Sequence, residues 1–263
     1  MKNKRVIVVI LAIALCSLML ASTGIATAST AGFEHTSYAL VNACTVDGKW
    51  TSTTEWSDAQ QTMVGTFALF RDKWLGDFAA DPMTIKQYWL VEVLNDATTD
   101  AGDYVEICLD SQIDGGAAPA VDDYKIVLTP TSMTWYKGTG TAWAAMAKPA
   151  SAGFATSVDT SFSSGPAHRI YELQYEKMVL NIGATPGIRI AVYDASNTAA
   201  GLIAWPTAKS ANVPNDWGTC PYSMDPVPEG FGVGILMVLS SVAVVAGAVL
   251  VRKRSGIAKL VTV

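Results

Sequence analysis

Apolar and polar residues alternate in several short runs through the middle of this chain, and that period of two points to β-strands. Val105, Ile107 and Leu109 share one face of such a run, and Ile188, Ile190 and Val192 share one face of another. Strands half-buried on one face have this pattern, whereas an amphipathic helix repeats every 3.6 residues. The runs predict strands over Tyr38–Thr45, Thr66–Arg71, Gln87–Leu94, Tyr104–Leu109, Tyr124–Leu128, Met133–Tyr136, Ala142–Met146, Arg169–Tyr175 and Ile188–Tyr193. Turns are expected at Asp47-Gly48, Asp114-Gly115-Gly116, Lys137-Gly138 and Thr185-Pro186-Gly187, where glycine and proline supply the backbone angles a reversal needs. No long helical period competes, although Glu176–Ile182 has room for a short helical turn, and no internal repeat is present. The expected fold is all-β, an antiparallel two-sheet β-sandwich.

The two ends of the chain read differently. Met1–Arg5 is basic, Val6–Ala21 is almost wholly apolar, and Ala26-Thr27-Ala28 follows, the pattern of a secretory signal peptide. Phe231–Val251 holds 21 residues without a charge. As one helix it would extend about 32 Å, enough for a bilayer core. Arg252-Lys253-Arg254 follows it and is expected to stay cytoplasmic by the positive-inside rule. The expected organisation is therefore a signal peptide over 1–28, an ectodomain over 29–225 and a Pro-rich stalk over 226–230. A transmembrane helix over 231–251 and a basic cytoplasmic tail over 252–263 complete it, giving a single-pass cell-membrane protein with its ectodomain outside. The run Val227-Pro228-Glu229, the apolar segment and the Arg/Lys cluster resemble prokaryotic sorting signals of the Pro-Glu-Pro and Pro-Glu-Phe kinds. That resemblance implies cleavage by a sortase-like membrane enzyme. A plain stop-transfer anchor is the other reading of the same residues.

Charge narrows the partners. The part between the two basic ends carries 11 basic and 23 acidic residues, a balance of about −12. Such a segment repels nucleic acid and favours hard cations. With Cys16 removed in the signal peptide, Cys44, Cys108 and Cys220 remain. In an exported sandwich whose ends approach each other, Cys44 and Cys220 are expected to form a disulfide, with Cys108 left as a mid-strand thiol.

A succession of short motifs runs through the ectodomain. It opens with Asp47-Gly48-Lys49-Trp50, Glu55-Trp56 and Ala59, and continues through Asp103-Tyr104, Asp110, Asp114-Gly115-Gly116 and Asp122-Asp123-Tyr124. Tyr171-Glu172, the run Gly187–Asp194, Trp205-Pro206 and Trp217-Gly218 follow. The ordered set resembles the family 9 carbohydrate-binding modules and the wider DOMON-like sandwiches over roughly Val46–Gly218. That resemblance implies a jelly-roll-like two-sheet sandwich, often calcium-bearing, which in sugar-binding members holds its ligand with aromatic side chains.

Three groups of residues are candidates for chemistry. Asp110, Asp114, Asp122 and Asp123 surround one loop and offer the oxygen ligands that Ca2+ takes; turn-forming aspartates look the same in sequence. Asp96, Asp100 and Asp103 form a further acidic stretch. Of the eight tryptophans, Trp135, Trp143 and Trp205 lie near turns and are the expected ligand-binding set, while Trp50 and Trp56 read as structural. Glu106, Glu172, Gln174 and Arg189 are expected on a polar face opposite the apolar stripe, as a solvated outer sheet with cross-strand ion pairs. No catalytic residue is expected: G-x-S-x-G, H-E-x-x-H, C-x-x-C and a phosphate-binding glycine loop are all absent. A noncatalytic binding module for glycan at the cell surface is the leading expectation. A structural or adhesive envelope protein is the alternative. A haem-binding redox domain using Met63, Met83, Met133, Met146 or His168 is a third.

Overall fold

The computed structural model describes residues 33–76, 85–163 and 165–224. The expected signal peptide, stalk, transmembrane helix and tail lie outside these residues. Among the described residues no helix is long and apolar enough to cross a membrane.

Two seven-stranded sheets face each other. Sheet A holds β5 (Tyr104–Asp110), β6 (Asp123–Leu128), β7 (Met133–Gly138), β8 (Trp143–Met146), β11 (Gly187–Tyr193), β12 (Ile203–Trp205) and β13 (Gly218–Thr219). Its order is β12-β11-β5-β6-β7-β8, with β13 also on β11. Sheet B holds β1 (Ser37–Ala39), β2 (Gln60–Val64), β3 (Ala68–Leu75), β4 (Lys86–Val93), β9 (Gly153–Asp159), β10 (His168–Glu176) and β14 (Tyr222–Ser223). Its order is β14-β1-β3-β4-β10-β9, with β2 also on β3.

The alternation seen in sequence builds the interior. Val105, Ile107 and Leu109 of β5, Tyr124, Ile126 and Leu128 of β6, and Ile188, Ile190 and Val192 of β11 all point between the sheets. They meet Trp89, Val91 and Val93 of β4 and Tyr171, Leu173 and Tyr175 of β10. Full burial of side chains of this size stabilises by roughly 1.5–3 kcal/mol each, so the register that keeps them inside is strongly favoured.

Sheet B is buried on both faces. On its outer side, Tyr88, Leu90 and Ile170 pack against Trp50, Trp56 and Ala59 from a segment that crosses the sheet. A buried carboxylate pins this cover: Glu172 Oε2 accepts from the Asp47 and Gly48 amides at 2.9 and 2.8 Å. Glu172 Oε1 accepts from Trp56 Nε1 at 3.0 Å. Gly48 has φ 81°, and a Cβ there would sit 2.7 Å from the Thr156 backbone, so glycine is required twice over. Lys73 Nζ ties the same segment down by donating to Asp58 Oδ1 at 2.9 Å and to the Asn42 carbonyl at 3.0 Å.

The structure departs from the sequence expectation in several places. The first strand covers Ser37–Ala39, because residues 40–45 leave the sheet to begin the cover. β1 runs parallel to both β3 and β14, so sheet B is not wholly antiparallel. β2, β9, β12, β13 and β14 were not expected. β9, with the sequence Gly-Phe-Ala-Thr-Ser-Val-Asp, is an edge strand of small and polar residues with a weak apolar period. The expected helical turn is the 3-10 helix Lys177–Leu180.

The Cys44–Cys220 disulfide is corrected: Cys44, Cys108 and Cys220 are all free thiols. Cys44 packs against the outer-face cluster of sheet B, whereas Cys220 lies in the interior with its Sγ donating to Asp72 Oδ2 at 3.7 Å. A whole sheet separates the two sulfurs. The thermal unfolding midpoint is therefore expected to be the same with and without a thiol reductant; a drop on reduction would show a bridge that this fold does not permit.

Candidate functional site

The outer face of sheet A is where chemistry collects. Inward burial of Val105, Ile107 and Leu109 turns Glu106 and Cys108 outward, and the same alternation turns out Lys125 on β6 and Arg189 on β11. Cross-strand register then sets Arg189 opposite Cys108 and Cys108 opposite Lys125. Arg189 Nη1 donates to Glu106 Oε1 at 2.5 Å, and Lys125 Nζ lies 3.7 Å from Glu106 Oε2. One carboxylate thus sits between two cations, all three mostly sheltered from water. Beneath them Cys108 is fully buried, and burial pushes its thiol well above the ordinary range.

Aromatic side chains frame this charged centre. Lys125 Nζ lies 5.0 Å from the Tyr136 ring centroid and 5.2 Å from that of Trp143, within cation–π range. The Trp143 and Trp217 indoles are stacked at 5° with centroids 6.4 Å apart. At the other end of the face Tyr104 and Tyr193 stack with centroids 5.4 Å apart. Residues 206–217 rim the site, strapped to it by two donors from sheet A and braced by a third within the segment. Arg189 Nε donates to the Lys209 carbonyl at 2.7 Å, Trp143 Nε1 to Ala211 at 3.2 Å and Trp217 Nε1 to Ser210 at 2.9 Å. Both indoles therefore have fixed orientations, and Trp143 is half-buried.

The expected ligand tryptophans separate. Trp135 and Trp205, 1% and 8% exposed, belong to the interior between the sheets and offer no ring face to a ligand. Trp143 alone of the three stands on the outer face. Trp217, Tyr136 and Lys125 were missed as its neighbours. Glu106 and Arg189 share a face as expected, but Glu172 lies buried under the cover of sheet B, and Gln174 also belongs to that sheet. His168 has both ring nitrogens engaged, Nδ1 with the Pro166 carbonyl at 2.9 Å and Nε2 with Glu92 at 3.1 Å, which leaves neither for haem iron.

One step along the same face toward the strand ends lies the acidic loop. Asp110 and Asp123 are cross-strand partners. With Asp114 they place one carboxylate oxygen each within 4.8 Å of the others; Asp122 stands outside this group. Asp110 accepts from the Asp114 and Gly115 amides at 3.2 and 2.8 Å, which curls the loop over the carboxylates. Within that curl Ile113 is held at φ 53°, a costly conformation for a β-branched residue. Asp123 Oδ2 accepts from the Ala120 amide at 2.7 Å. Its Oδ1 is buried and has no hydrogen-bond partner. Ca2+ takes oxygens at about 2.3–2.6 Å, so oxygens lying within 4.8 Å of one another suit such an ion, and the orphaned Oδ1 supplies the unmet acceptor.

Other acidic clusters behave differently. Asp96, Asp103 and Asp194 also converge, but each accepts a backbone amide and none has a buried oxygen left without a partner. Thr98 donates to Asp96, Asp100 and Ala195 donate to Asp103, and Ser196 donates to Asp194. Those carboxylates organise loops.

No known family model matches the chain, and no curated protein matches it either. Two solved structures of a carbohydrate-binding module family 9 from Caldicellulosiruptor kristjanssonii are similar to it. The one in complex with cellotriose is 15% identical, with a TM-score of 0.49 over 74% of this chain and 96% of that chain. The one in complex with glucose is 16% identical, with a TM-score of 0.49 over 73% of this chain and 98% of that chain.

Burial pushes the Asp123 carboxyl up to about 7 against the Ala120 amide that favours ionisation, and the Asp110, Asp122 and Asp114 charges add to the rise. An unfolded Asp ionises near its ordinary value of 3.8. Between these two pH values the folded chain holds a proton that the unfolded chain has released, so this group's contribution to stability falls as pH rises and levels off above about 7. Urea unfolding in chelator across that window is expected to show a shallower decline for Asp123→Asn than for the native chain.

Proposed function

We propose that the domain is a noncatalytic carbohydrate-binding module, displayed outside the cell on a membrane-anchored chain, with its ligand on the outer face of sheet A. One observation carries the reading: the oriented, half-buried Trp143 backed by Trp217, beside a carboxylate held between Lys125 and Arg189. A pyranose ring is amphipathic in the same way. Its C–H faces stack on an indole, while its hydroxyls lie at the rim and both donate and accept hydrogen bonds. Trp143 would take a sugar face, Glu106 would accept from hydroxyls, and Lys125 would donate to them. Tyr136 extends the aromatic surface. Because residues 206–217 and the Arg189–Glu106 pair hold these groups in place beforehand, little ordering is left for the ligand to impose.

Calcium belongs to the same proposal. Asp110, Asp114 and Asp123 would hold it, and its chemistry would be structural: offsetting most of the charge of three clustered carboxylates and clamping the β5–β6 connection beside the proposed ligand face. At about pH 8, where Asp123 is ionised, calcium is expected to raise the unfolding temperature of the native chain but not that of Asp123→Asn. An equal rise in both would place the ion elsewhere.

The test of the ligand reading is a glycan array probed with the full chain in a non-glycosidic detergent, followed by calorimetric titration of the best ligand. Trp143→Ala is expected to weaken binding by about tenfold or more, equivalent to about 1.4 kcal/mol, without changing the unfolding midpoint by a comparable amount. Binding that survives this substitution unchanged, or an array with no ligand, would overturn the assignment.

A further inference from the structure

Among the described residues nine large apolar side chains are exposed, and they are unevenly placed. Leu75, Ile113, Val121, Val179 and Met224 gather at one end of the sandwich, where β3, β5, β10 and β14 finish and β4, β6 and β11 begin. Three links show that these loops share an end. The Gly183 amide donates to Ser111 at 2.8 Å, the Tyr222 amide donates to Ala184 at 3.1 Å, and Gln112 donates to the Asn181 carbonyl. Met63, Phe162 and Leu202 mark the opposite end, and the ninth, Val41, lies where the chain leaves β1 for the cover of sheet B, its amide donating to Asp58 at 2.7 Å. Val121 and Met224 are 64% and 66% exposed. Ile113 is held outward by the loop that curls over Asp110.

The chain leaves the fold at this same end. β14 runs parallel to β1, which runs parallel to β3, so Ser223 points the way Leu75 does. Seven residues, Met224–Gly230, then separate β14 from the charge-free stretch Phe231–Val251. With Pro226 and Pro228 in that interval its reach is about 22 Å at ~3.1 Å per residue, part of which is spent crossing the lipid headgroup layer. The apolar end cannot move far from the bilayer once Phe231–Val251 is inserted.

We infer that this apolar end rests on the lipid surface, with Ile113, Val121, Val179 and Met224 seated among the headgroups. The inference depends on the membrane anchoring proposed above and goes beyond it by fixing which end of the domain faces the bilayer. A tether alone would leave the domain free to tumble, whereas an apolar end at the tether point gains by withdrawing its side chains from water. Seated this way, the strands stand upright on the membrane and the outer face of sheet A opens sideways, parallel to it. The acidic loop carrying Asp110, Asp114 and Asp123 then lies near the headgroups, where a bound cation would reduce its repulsion from lipid phosphate.

The experiment uses the full chain in calcium-containing phosphatidylcholine vesicles, a fraction of whose lipids carry a headgroup nitroxide. A fluorophore is attached at Ile113→Cys, Val179→Cys or, on the opposite end, Leu202→Cys, each in a Cys44→Ser background. Vesicle flotation reports the anchor, and quenching reports the seating. The expected result is co-flotation with quenching at positions 113 and 179 and none at 202. Adding Val121→Asp and Met224→Asp is expected to abolish the quenching while co-flotation persists. Co-flotation with no quenching at 113 and 179, or with equal quenching at 202, would overturn the seating and leave the anchor standing. A chain that does not float with the vesicles would defeat the anchor and the seating together.

Discussion

The arrangement on the outer face of sheet A depends on one constraint, the inward burial of alternate side chains on β5, β6 and β11. A slip of one residue would turn Val105, Ile107 and Leu109 to solvent and carry Glu106 into the interior. The slip would forfeit several kcal/mol of burial and strand a charge away from water. With that alternative closed, Glu106, Lys125 and Arg189 have nowhere to be except side by side on adjacent strands. The apolar interior therefore sets the polar geometry, although none of its residues reaches the outer face.

Buried carboxylates divide into two kinds by what surrounds their oxygens. Glu172 collects the Asp47 and Gly48 amides and the Trp56 indole, and so becomes the peg that holds a loop over sheet B. Asp103 and Asp194 do the same for shorter loops. Asp123 is short of a donor: one oxygen has the Ala120 amide and the other has nothing. That difference separates an acid that organises backbone from one suited to an added positive charge. Both kinds are drawn from the same pool of aspartates and glutamates, which is why composition alone does not tell them apart.

The sandwich and most central strands were legible because their residues alternate cleanly and end in glycine or proline turns. The short terminal and edge strands were not. β13 and β14 have two residues each, too few for any period, and β9 carries mostly small and polar residues with a weak apolar period. The tryptophan assignment misread a signal that the sequence held. Trp135 is two residues from Met133 on β7, and Trp205 two residues from Ile203 on β12, so each shares the inward parity of an apolar neighbour. Proximity to turns outweighed that parity in the sequence reading. The pairing of Trp143 with Trp217 spans 74 positions along the chain and arises only when residues 206–217 fold back over sheet A. The thiols were misjudged for a similar reason, since sequence does not show which face of a sheet a loop will cover.

β14 has a mechanical consequence. It joins the fold through two residues opposite Ser37 and Tyr38, side by side and in the same direction. When the C-terminal segment is held and the body of the domain is pulled by whatever it grips, tension enters through this strand along its own axis. The few bonds to β1 are then strained together in shear instead of opening one after another as in a zipper. Resistance to such a pull would be set by a strand of only two residues.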